Sequence, residues 1–177
     1  MKLISYLCDY IVEGINFLSF IIMLSDQELL QSYAEALRYM RNAEATLQKS
    51  GKENNTYLDV KYVRTACGTA YLGVLLALDA WLVLKGMPIP TKRDKTKRHR
   101  SIDMYKYDIA KLDGRMLIDL NTVYNVLHLN GYYDGIQNVR IIREGFSVAY
   151  EMIEKSNPLS LTRNCRHFSQ ITKNRHY

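Results

Sequence analysis

Few residues in this chain are of a type and spacing suited to chemistry, and the most telling is Asp79, the one charged residue between Leu72 and Leu84. An ionised carboxylate in so apolar a stretch is costly unless it is paired or hydrogen-bonded, so Asp79 must have a partner. The candidates are His128, a tyrosine hydroxyl, or a Lys or Arg from a facing helix. An Asp79–His128 pair would raise the imidazole pKa and create a general acid–base. The same pair would serve equally as a buried structural clasp. These two are the candidate catalytic residues, and no reaction is read from them. Lys61, Tyr71, Tyr132, Tyr133 and Asp134 are the candidates for a ligand pocket. Lys61 stands three residues before Arg64, so the two share a helix face and can meet an anion or pair with Asp59. Tyr132, Tyr133 and Asp134 read either as the rim of a pocket or as a compact turn between helices.

A second feature is electrostatic. The net charge of +6 is unevenly placed: Thr91–Arg100 carries +5, Lys155–Tyr177 another +5, and the rest of the chain −4. Basicity confined to one loop and one tail suits contact with a polyanion. Lys92, Arg93, Lys95, Lys97, Arg98 and Arg100 are therefore the candidate phosphate-binding residues, and RNA is a possible partner through loop and tail. Plain solvated surface accounts for both segments equally well. There is no phosphate-cradling P-loop, G-x-G-x-x-G, H-E-x-x-H or E-x-x-H di-iron pattern, so neither metal nor cofactor is expected.

These residues must be positioned by helices. Tyr57–Gly86 reads as one long helix of about 28 residues, spanning about 42 Å. It is apolar all round in its second half, as a helix buried among several neighbours must be. Its apolar run falls short of the roughly 20 residues a bilayer requires, which argues against a membrane span. Before it, Ser25-Asp26-Gln27-Glu28 has the form of a capping box. Leu30, Tyr33, Leu37 and Met40 then recur at helical spacing until Ser50-Gly51. The connector KENNT follows. After Pro88 and Pro90 and the basic loop, Ser101 caps a helix that breaks at Asp113-Gly114. The next helix runs to Asn130-Gly131. The last, Ile136 to about Lys155, is expected to be capped by Asp134. No sustained alternation of apolar and polar residues predicts strands.

At 177 residues and 47% hydrophobic the chain is sized for one all-α domain, an up-and-down bundle of four to six helices over residues 25–155. Residues 1–24 read as an N-terminal helix or as lying upstream of a start at Met23, and 156–177 as a flexible basic tail. Three widely spaced cysteines form no disulfide framework, and no cleavage site follows the apolar N-terminus, so a cytoplasmic protein is expected.

Tyr33-x-x-Ala36, the ALDAWLVLKG end of the central helix, and YNVLHLNGYYDG (Tyr124–Gly135) resemble the HEPN superfamily of helical bundles. More narrowly, Lys61–Asp79 and Leu127–Gly135 are similar to a set of uncharacterised Bacteroides-type bacterial proteins, a likeness that covers about Ser25 to Lys155. The resemblance implies a four- or five-helix bundle, frequent homodimerisation, and, in the superfamily's active members, metal-independent RNA cleavage by an Arg and a His with four to six residues between them. This chain departs from that pattern. Arg93 and His99 match by spacing inside a run already dense in basic residues, Arg163 and His167 are one residue short of that spacing and lie in the tail, and His128 has no Arg four to seven positions before it. The reading that follows is a non-catalytic interaction or regulatory protein, homodimeric and open to a protein partner. An RNA-binding protein or ribonuclease is the alternative.

Overall fold

The computed structural model describes residues 27–87 and 100–159. It is an all-α bundle organised around one long helix. Helix α1 spans 27–48, and its apolar stripe buries Ala36, Met40, Ala43 and Leu47. Gly51 follows with φ +64°, the left-handed conformation that ends a helix at little cost to glycine. The capping box at Ser25 begins outside the described residues.

The connector KENNT is a minute antiparallel hairpin, β1 Lys52–Glu53 and β2 Thr56–Tyr57, where no strand was expected. Asn54 and Asn55 have φ of +44° and +65°, and asparagine tolerates the left-handed region that a two-residue hairpin turn demands. The hairpin is held from outside. Tyr57 N–H donates to Gln137 O at 2.8 Å, and Gln137 Nε2 donates back to Tyr57 O at 2.6 Å.

Helix α2 runs Val60–Leu84 with Asp59 as its N-cap, three residues later than the sequence suggests because Tyr57 belongs to β2. It is about 38 Å long. Length and composition alone would let it cross a membrane, so the length criterion does not exclude a span. More than half of its most apolar window is, however, buried by the rest of the bundle, as in the core helix of a soluble fold. The close approaches fall at small residues. A Cβ on Gly73 would stand 3.1 Å from Ala36 O of α1.

Helix α3, Ile102–Leu112, is capped by Ser101, whose hydroxyl accepts from Met104 N–H. The expected break falls at Asp113, which ends α3 and caps α4, Gly114–Val123. The chain then widens into a π-helical segment, Tyr124–Asp134, closed by Gly135 at φ +71° with its N–H on Asn130 O. Helical structure therefore passes through Asn130-Gly131 instead of ending there. The reason is local: Gly131 lets this segment lie against α2, where any Cβ would be 2.5 Å from Cys67 Sγ. Helix α5, Val139–Lys155, is capped by Asn138 and not by Asp134, because the π-helical segment ends at Asp134 and four residues separate it from α5. The core runs unbroken from α1 through α2 to α5. Burial pushes the Cys67 thiol up to about 12, so it stays protonated.

Candidate functional site

Three polar arrangements stand out from this core, and the first settles the partner of Asp79. Arg100 Nε donates to Asp79 Oδ1 at 3.2 Å, Nη1 to Asp108 Oδ2 at 2.8 Å, and Nη2 to Met87 O at 2.6 Å. The Arg100 side chain is 1% exposed, those of Asp79 and Asp108 22% and 17%. Burial and the nearby Asp79 carboxylate push the Tyr105 hydroxyl far up. Arg100 therefore belongs to the core of a clasp and is not available to a phosphate, which corrects its place among the polyanion-binding candidates. One of six neighbouring basic residues is drawn inward because two carboxylates and a carbonyl converge on it. Lys92, Arg93, Lys95, Lys97 and Arg98 lie outside the described residues.

The second arrangement surrounds His128, which does not pair with Asp79. In turns closed by i→i+5 bonds, residues four apart come closer to eclipsed than in an α-helix. Tyr124, His128 and Tyr132 are spaced in this way, with ring centroids 5.2 and 6.1 Å apart in succession. Tyr71 of α2 stacks on His128 at 4.4 Å, and Tyr133 meets it edge-on at 5.0 Å. Burial lowers the His128 pKa, so the imidazole is held neutral, the opposite of what an Asp–His pair would do. Arg64 Nη1 donates to Tyr132 O at 3.2 Å and secures the segment to α2. Three of the pocket candidates, Tyr71, Tyr132 and Tyr133, are thus brought together around the candidate catalytic histidine. Lys61 and Asp134 are exposed, and Lys61 Nζ lies 5.8 Å from the Tyr62 ring centroid.

The third arrangement is a cleft of about 470 Å³ between the end of α1, the hairpin and the middle of α5. Leu47 and Phe146 form its apolar floor; Glu44, Lys52, Tyr57, Arg143, Ser147 and Tyr150 line it. Arg143 stands beside the Tyr57 phenol and Glu44 beside that of Tyr150, each acting on it by its charge. The Tyr150 phenol is pushed up to about 12 by burial and by that carboxylate. Sequence reasoning missed this site, since its residues come from three separate elements. Only the asparagine pair of the hairpin turn offered a local signal.

Neither the clasp nor the aromatic nest assembles a nucleophile, base and oxyanion donors, and no group of three or more potential metal ligands occurs among the described residues. The class defined is an all-α bundle with a buried ionic clasp and a small surface cleft. Residues 31–157 match the family described as a domain of unknown function (DUF5618), and the chain belongs to that family. It is similar to a solved protein of unknown function from Dyadobacter fermentans, with 34% identity and a TM-score of 0.62, over 73% of this chain and 95% of that one. No curated protein matches the chain.

Proposed function

We propose that this protein is a HEPN-like member of a Bacteroides-type family that acts in the cytoplasm without catalysis of its own, as a homodimeric interaction or regulatory bundle. The carrying observation is that both candidate catalytic residues are committed elsewhere: Asp79 to Arg100 and Tyr105, His128 to a stack of tyrosines in which it is kept neutral. A dimer contact is supported by α2, where Leu72 and Val83, 53% and 41% exposed, share one face with the half-buried Leu76. Eleven residues along a helix return to within about 20° of the starting direction, so these side chains form a stripe. Sedimentation of the full chain at micromolar concentration tests the reading. A dimer that Leu72→Glu converts to a monomer is the expected result, and a monomeric wild type refutes it. Cleavage of single-stranded RNA without added metal, lost in His128→Ala, would favour the ribonuclease alternative.

A further inference from the structure

We infer that the cleft between α1, the hairpin and α5 is a binding site for a small organic monocarboxylate with an apolar body and a hydroxyl or amino donor at its far end. Its volume of about 470 Å³ lies within the range of small-molecule pockets. The charges in it are divided between two ends. Arg143 stands beside the Tyr57 phenol, on which its charge acts, and forms no ion pair among the described residues. A guanidinium has five donors, so it retains the capacity for a two-pronged bond to a carboxylate. Lys52 of the hairpin is paired in register with Tyr57, so both side chains lie on one face of the ribbon and both line the cleft.

The other end is different. Glu44 stands beside the Tyr150 phenol, on which its charge acts, and Tyr150 is seven residues beyond Arg143 on α5, about 10 Å along the axis. Glu44 therefore leaves Arg143 unneutralised and presents an acceptor to a donor group at the opposite end. Between them Leu47 and Phe146 offer an apolar floor. The Tyr57 wall is rigid before anything binds, because its N–H and its C=O are both bonded to Gln137, and preorganisation lowers the entropic cost of binding. The cationic residues 163–175 of the chain's own tail are a poor match for the Arg143–Lys52 end.

The test uses the full-length, isotope-labelled chain and para-hydroxyphenylpropionate as the probe, followed by amide chemical shifts. Saturable shifts at Gly51, Ser147 and Tyr150 are expected, with the amide of the same acid binding at least about tenfold more weakly. Phenylpropionate, which lacks the far hydroxyl, should bind a few-fold more weakly. Arg143→Gln should weaken the acid about tenfold and leave the amide unchanged; should that variant misfold, the acid–amide comparison on the wild type decides alone. Equal binding of acid and amide, shifts centred away from the cleft, or no saturation up to about 10 mM would overturn the proposal. So would Ser147→Trp turning a dimer into a monomer, since the cleft would then be an interface between two copies.

Discussion

Arg100 and Asp79 meet at 3.2 Å, and this contact fixes the start of the segment leading into α3 against the last turns of α2. The same guanidinium holds the carbonyl of Met87. The residues on either side of the basic run 88–99 are therefore tied at one point inside the core.

Removing Arg100 should cost more than removing Asp79. Arg100→Met leaves two mostly buried carboxylates, Asp79 and Asp108, facing each other without a cation, an expected loss of about 3 kcal/mol. Asp79→Asn leaves Arg100 with Asp108 and the Met87 carbonyl, and about 1 to 2 kcal/mol is expected. Urea unfolding followed by circular dichroism, with an unchanged slope, ranks them. An Asp79→Asn cost equal to or above that of Arg100→Met would mean that Arg100 is not the hub of the clasp.

Much of the fold was legible, and the illegible parts share a cause. The central helix, the Ser101 cap and the Asp113 break follow from local chemistry: apolar residues all round a helix, a hydroxyl before a first turn, an Asp-Gly pair. The π-helical segment is invisible to apolar spacing, which does not distinguish i→i+4 from i→i+5 bonding, and the close packing of Gly131 on Cys67 that accompanies it is a tertiary contact. The need of Asp79 for a partner was readable, but not that the partner would be Arg100, one basic residue in a run of them. The cleft was out of reach because Glu44, Tyr57 and Arg143 come together only after the bundle has formed.

Gly131 should resist substitution that Gly114 welcomes. Replacing a helical glycine by alanine ordinarily stabilises by up to about 1 kcal/mol, and at Gly114 nothing lies within 4 Å of the new Cβ. At Gly131 it would meet Cys67 Sγ at 2.5 Å and Cβ at 2.8 Å. A loss of about 1 to 3 kcal/mol is expected there, partly relieved when Cys67→Ala is added. Thermal melts of the three variants check this, and a stabilised Gly131→Ala would show that the two helices are not so close.

Stability should fall at both ends of the pH scale, for separable reasons. Tyr71 is pushed from 10.0 to about 12 by burial, and Tyr105 is also raised. Raised groups contribute stability that is complete below their unfolded values near 10 and is lost as pH climbs toward the folded ones. The folded His128 pKa is lowered from 6.5, so its contribution is present above 6.5 and lost as pH falls through the depressed folded value. Unfolding free energies measured from about pH 5 to pH 11 should form a dome. His128→Phe should flatten only its acid side, and an unchanged acid limb would show that His128 is as solvated in the bundle as in the unfolded chain.

The basic run itself can be separated from the clasp that ends it. Lys92, Arg93, Lys95, Lys97 and Arg98 contribute +5, and Asp94 reduces this to +4; Arg100 is spent on Asp79 and Asp108. Exchanging the five for glutamine should lower the salt needed to elute the protein from immobilised heparin, since each phosphate or sulfate contact releases counterions and steepens the salt dependence. The melting temperature should not move, because the buried contacts of Arg100 remain. Arg100→Gln should do the reverse, eluting with the wild type while melting earlier. If it elutes as early as the five-fold variant, Arg100 reaches the polyanion after all, and its burial at 1% exposure does not describe the protein in solution. If the five-fold variant elutes unchanged, the charge of the loop does not engage polyanions, and the RNA-binding alternative loses the loop as its site.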